Sequence, residues 1–147
     1  MLEYTAIQDG FEVRHEHEVL RVEQWGPDSV RVRAAQHQIP SSDVGALEER
    51  PQGLAAVSAT QEEDGSVRFV VGNLTVRARL DSGDGKPTVM LEFLRTRDGV
   101  ELLAEKREHF WWPGSHVFYG QRSGLYEIHQ QFKAYEGERV YGLGQHQ

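Results

Sequence analysis

Three groups of side chains have types and spacings that could do chemistry. His15-Glu16-His17 sets two imidazoles two positions apart, which on a strand puts both on one face and can hold a metal. No third candidate ligand stands nearby, and surface histidines alternating with glutamate explain the spacing equally well, so no metal is expected. Glu62-Glu63-Asp64 gathers three carboxylates, but the Asp64-Gly65 pair that follows marks a hairpin turn, where such groups serve to solvate the turn. The run from His109 to Tyr119 concentrates large aromatics, with Trp111 and Trp112 beside Pro113-Gly114 and with His109 and His116 at its flanks. Flat rings and indole N–H groups suit stacking on a sugar, but packing at one end of the domain or against a neighbouring domain is the favoured reading. Adjacent residues on extended chain face opposite ways, which argues against both tryptophans serving one ligand.

Composition bounds what can hold these groups. A chain of 147 residues is one domain of ordinary size, able to bury a core without disulfides or metal. The absence of cysteine excludes a disulfide scaffold, thiolate catalysis and zinc-thiolate sites. A formal net charge of -7 argues against nucleic acid as a partner. The arginines at 31 and 33, and at 77 and 79, alternate with apolar residues and read as solvated strand faces. The first residues lack the basic flank and apolar run of a signal peptide, and no stretch approaches the length of a membrane span, so no membrane partner and a cytoplasmic location are expected.

Along the chain, turn signals separate segments that alternate apolar and polar, the pattern of an all-β antiparallel sandwich. Strands are expected at Phe11 to His15 and Val19 to Trp25, then, after the turn Gly26-Pro27-Asp28, at Ser29 to Ala34 with Val30, Val32 and Ala34 inward. Gln36 to Gly53 forms a long connection, in which Asp43 to Glu49 is expected to make one short helical turn. Leu54 to Thr60 and Val67 to Val71 flank the acidic hairpin. Leu74, Val76, Ala78 and Leu80 share one face of the next strand. Thr88 to Leu94 is nearly continuous in apolar residues, as in a strand covered on both sides, and Asp98-Gly99 turns it back into Val100 to Glu105. The aromatic run reads as too irregular for a strand. Alternation resumes at Tyr126 to Phe132, with Tyr126, Ile128, Gln130 and Phe132 on one side. In Tyr141-Gly142-Leu143-Gly144 two glycines leave one face of a final strand nearly bare, which invites the close approach of another element or a ligand.

That last stretch carries a family resemblance. Arg139-Val140-Tyr141-Gly142-Leu143-Gly144-Gln145-His146, preceded by Gln131 to Glu138, resembles the end of the amino-terminal β-domain of glycoside hydrolase family 31, which includes α-xylosidases and α-glucosidases. The order of Val30-Arg31-Val32-Arg33, Leu74-Thr75-Val76-Arg77, Leu91-Glu92-Phe93 and the turn at Asp98-Gly99 is similar to that domain as well. The resemblance implies a sandwich of the galactose-mutarotase-like type spanning 1–147, part of a longer retaining hydrolase that uses no cofactor. Family catalytic aspartates lie on a (β/α)8 barrel of on the order of 250 residues. No position of this chain receives them, so the chain itself is expected to be inactive. Its partners would be that barrel and an oligosaccharide at the barrel mouth. Gln145 and His146 would sit on the loop at the active-site rim, and Gln145, where many members have glutamate, leans toward the xylosidase side. Separated from its barrel, the domain is expected to expose apolar surface and self-associate. Two other functions fit the same residues: a free-standing carbohydrate-binding module using Trp111 to Tyr119, and a mutarotase-like epimerase drawing on His109, His116 and Glu127.

Overall fold

The computed structural model describes residues 2–41, 49–82, 87–107, 117–120 and 125–139. Two antiparallel meanders pack face to face. The first is a four-stranded sheet of β1 (Tyr4–Ile7), β2 (Gly10–His15), β3 (Glu18–Gly26) and β4 (Ser29–Gln36), in chain order. The second has five strands, β5 (Ala59–Gln61), β6 (Val67–Val71), β7 (Leu74–Asp81), β8 (Thr88–Arg95) and β9 (Glu101–Ala104), also in chain order. A separate two-stranded ribbon pairs β10 (Val117–Gly120) with β11 (Tyr126–His129). No helix occurs among the described residues, and the molecule is the all-β sandwich that its alternation predicts.

Side chains two apart on a strand share a face, and the core is built from that period. Phe11 and Val13 on β2 and Leu20 and Val22 on β3 meet Val67, Phe69 and Val71 of β6, Val76 and Ala78 of β7, and Val89 and Leu91 of β8 in one buried cluster. Within it the rings of Phe11 and Phe69 touch edge to face across the two sheets, with centroids 5.7 Å apart. The sequence places Val30, Val32 and Ala34 inward, and they pack partly buried on this cluster, as do Leu74 and Leu80. Thr88 to Leu91 are buried in succession, as a strand covered on both sides requires.

The outer face of the first sheet is tied by charge. Glu12 is buried and accepts from Arg21, with Nε at 2.7 Å and a second guanidinium nitrogen also bonded, while Arg33 reaches Glu23 at 2.8 Å. The alternating arginines are therefore paired across strands as well as solvated. The long connection after β4 starts along the same sheet, where Arg14 donates to the His37 carbonyl at 2.9 Å and Arg33 to that of Pro40 at 3.2 Å. It returns with Arg50 ion-paired to Asp9 at 2.9 Å.

Turns at both ends pin sheet to sheet. Asp28, in the β3–β4 turn, accepts from the Asn73 amide at 2.7 Å, so it caps the β6–β7 turn of the other sheet. Gly72 sits there at φ +56°, and a Cβ on it would fall 2.1 Å from Asp28 Oδ1 and 2.3 Å from the Pro27 carbonyl. At the opposite end His15 Nε2 lies 2.9 Å from the Pro87 carbonyl, which can only accept, so this nitrogen carries the proton.

Several elements differ from the sequence reading. β1 was not anticipated, because Tyr4-Thr5-Ala6-Ile7 lacks alternation and is placed by its ladder with β2. β5 is three residues long rather than running from Leu54, since it pairs only opposite Val67 to Phe69. The aromatic run is not irregular throughout, for Val117–Gly120 forms β10 by pairing with β11. Residues 43–48 of the expected helical turn lie outside the described residues.

Phe69→Ala should cost about 3 to 5 kcal/mol, the usual loss for a buried aromatic, read from urea unfolding. Gly72→Ala should lose more stability than Gly99→Ala: both sites have positive φ, but a Cβ at Gly99 meets nothing within 4 Å. Equal losses at the two glycines would contradict the clamp between the turns.

Candidate functional site

The two imidazoles of His15-Glu16-His17 do not share a strand face, contrary to the strand reading. His15 ends β2 opposite Glu18, and Glu16 and His17 form the two-residue turn, with Glu16 at φ +52°. The rings are thereby separated in role. His15 donates to Pro87, while the His17 ring tilts against that of His37 with centroids 5.7 Å apart. Among the described residues no group of three or more His, Cys, Asp and Glu is arranged to hold a metal.

The acidic hairpin is a built turn. Glu62 and Ser66 close it through Glu62 N to Ser66 O at 2.9 Å, and Gly65 takes φ +80°. Asp64 accepts from the Ser66 hydroxyl at 2.6 Å and from its amide at 2.9 Å, and pairs with Arg77. The Ser66 hydroxyl first, then its amide and Arg77, hold the Asp64 carboxyl below the usual carboxylate range. A carboxylate fixed in its ionised form as an acceptor for its own turn is poorly suited to general acid work.

Trp111, Trp112, Gln145 and His146 lie outside the described residues, as do His109, His116 and the Tyr141 to Gly144 stretch. Glu127, the remaining candidate, pairs with His129 at 2.7 Å on one side of the ribbon.

What the structure does assemble lies along β9 and the ribbon. A bridge between Glu105 and Phe132 lays the chain after β11 beside the end of β9, with Lys106 N donating to Gln131 O at 3.0 Å and Lys133 N to Ala104 O at 2.8 Å. Along this edge Glu101 accepts from Lys133 Nζ at 2.8 Å and from the Tyr135 hydroxyl at 2.8 Å. Lys133 and then Tyr135 hold the Glu101 carboxyl below its ordinary value. The same bond to Glu101 pushes the Tyr135 phenol up to about 12, because ionising it would set two negative charges together.

Exposed apolar side chains fall in the same part of the chain. The large hydrophobic side chains that stand exposed among the described residues all fall between 100 and 135: Val100 and Leu102 by β9, Leu125, Tyr126 and Ile128 on the ribbon, then Phe132 and Tyr135. Ile128 is 62% exposed and Leu102 49%. Register puts Phe118 opposite Ile128 and Gly120 opposite Tyr126, so Phe118, Tyr126 and Ile128 share one ribbon face. The rings of Phe118 and Tyr126 meet edge to face at 6.4 Å. The sequence reading puts Tyr126, Ile128, Gln130 and Phe132 on one side of a single strand, whereas β11 ends at His129 and Phe132 lies beyond it, in an isolated bridge to Glu105. Glu101, Lys133 and Tyr135 give no signal at all, being brought together by the Glu105–Phe132 bridge.

The class of protein is thus an all-β sandwich of two antiparallel sheets with a separate two-stranded ribbon. Compared with known proteins, no family model matches the chain, and no solved structure matches it. Over its whole length the chain is 27% identical, across 155 aligned residues, to the uncharacterized family 31 glucosidase ORF2 of Pseudescherichia vulneris. The match covers 29% of that protein, so the chain spans less than a third of its relative. In sequence the chain is therefore related, distantly and end to end, to a protein named as a family 31 glucosidase.

Alkaline titration followed at 295 nm should resolve one tyrosine step near 12, which Tyr135→Phe deletes and Glu101→Gln moves back toward 10. The sign is that of a raised folded-state value. The contribution of this bond to stability is whole between the ordinary carboxylate range and about pH 10, is lost as pH rises through about 12, and is lost on the acid side as Glu101, held below its ordinary value, takes up a proton.

Proposed function

We propose that this chain is the amino-terminal β-sandwich, of the galactose-mutarotase-like type, of a longer retaining α-glycoside hydrolase of the family 31 kind, an α-glucosidase or α-xylosidase. It carries no catalytic residue, braces a (β/α)8 barrel, and lends the loop at Gln145 and His146 to the rim of the barrel's site. The observation that carries this reading is the end-to-end similarity to a protein named as a family 31 glucosidase, most of which extends beyond the match. A barrel of on the order of 250 residues needs that room.

The chemistry of the described residues supports the same reading. Retention requires two carboxyl groups about 5 to 5.5 Å apart across a sugar, one of them able to hold a proton. Among the described residues, Glu12 and Glu23 are paired with arginines of the first sheet, Glu92 with Arg79 at 2.7 Å, Asp98 with Arg95 at 2.8 Å, and Glu101 with Lys133 and Tyr135. These pairs tie strands and turns together.

The purified 147-residue chain should release no aglycone from aryl α-glucosides or α-xylosides. When it replaces the matching segment of the Pseudescherichia vulneris protein, the chimera should be soluble and hydrolyse an aryl α-glucoside, whereas that protein with the segment deleted should not. Turnover by the isolated chain overturns the reading. So does saturable tryptophan quenching by xylo- or gluco-oligosaccharides that vanishes on Trp111→Ala or Trp112→Ala, which is the behaviour of a free-standing binding module.

A further inference from the structure

We infer that residues 130–135 are a strap that guards the edge of the sheet at the end of β9, latched by Glu101, and that this strap opens without unfolding the sandwich. β9 is the last strand of its sheet, so one side of it faces β8 and the other is an edge. Just past its end the backbone bonds alternate between the two sides. Glu105 N donates to the Leu91 carbonyl of β8 at 2.9 Å, while on the edge side Lys106 N donates to Gln131 O at 3.0 Å and Lys133 N to Ala104 O at 2.8 Å. A bare edge is a template for pairing with other chains, and a covering segment removes that hazard.

What is covered is buried, and what covers it is not. Ala104 is 0% exposed and Glu105 2%, whereas no residue from 125 to 139 is buried. With no buried side chain of its own, the strap draws its hold from directed bonds. Gln130 Nε2 donates to Glu105 Oε1 at 3.2 Å, the other oxygen of that carboxylate accepting from Leu91 N at 2.8 Å, and Lys133 Nζ and the Tyr135 hydroxyl both donate to Glu101 at 2.8 Å. The Lys133 and Glu101 side chains stay 40% and 30% exposed, and ion pairs that open to water contribute little. Segments with few buried apolar groups and water-accessible bonds open at free energies well below that of the whole fold. The core is independent of the strap, because its cluster takes no described residue beyond Phe93.

Amide exchange of the 147-residue chain, followed residue by residue by NMR at low urea concentrations, tests this. The amides of Lys106 and Lys133 should exchange together, protected but with little dependence on urea, while those of β7 exchange only through unfolding of the whole domain. Lys133→Ala with Tyr135→Phe should speed exchange at both strap amides at least about fivefold, after correction for the rates of unstructured chain, and should leave the urea midpoint of the core unchanged. Neither residue is buried, so the variant keeps its core. Exchange at Lys106 and Lys133 with the full urea dependence of β7 makes the strap an integral strand and overturns the inference. Exchange there at the unprotected rate overturns it from the other side, because no closed strap then exists. A core midpoint that falls together with strap protection in the double variant also overturns it.

Discussion

The apolar layer between the two sheets is the interaction on which the rest depends, and the edge-to-face contact of Phe11 with Phe69 is its clearest element. Each meander is only four or five strands deep, and neither could keep a flat apolar face in water. Burying each on the other fixes the alternation of every strand, because a slip of one residue would turn Phe69 or Leu20 out to solvent and bring an arginine in. The turn-to-turn clamp of Asp28 on Asn73 and the His15 bond to Pro87 then set how the two sheets lie along one another.

With the inner faces spent on the core, what the protein presents to others is decided by the outer faces and the edges. The outer faces carry cross-strand ion pairs, Arg21 with Glu12 directly opposite, and the diagonal pairs Arg33 with Glu23 in the same sheet and Arg79 with Glu92 in the other. These pairs are partly buried, and they keep the outer face of each sheet polar. The β9 edge and the ribbon are different, for there large side chains stand free around a small bonded cluster.

The sequence reading succeeded where a strand is long and one face of it is buried. β7 and β8 were legible from Leu74, Val76, Ala78 and Leu80 and from the unbroken run Thr88 to Leu91, and the hairpins from Asp64-Gly65 and Asp98-Gly99. It failed where pairing rather than patterning makes the strand. β1 has two exposed residues at its middle and exists through its ladder with β2, and β10 was hidden within an aromatic run until β11 folded back on it. The pair His15 and His17 was misplaced for a related reason: period two implies a shared face only while the strand continues, and a tight turn at Glu16 ends it.

Local chemistry alone therefore determined the all-β class, most of the core, the turns, and the distant likeness to a protein named as a family 31 glucosidase, since these depend on residue type and spacing along the chain. The exposure of Leu102 and Ile128, the bonding of Glu101 to Lys133 and Tyr135, and the joining of the two sheets through Asp28 and Asn73 were decided by tertiary structure. Each joins residues more than thirty positions apart or rests on what fails to cover a side chain. A pattern of alternation records which face a residue occupies, and carries no information about what, if anything, lies against that face.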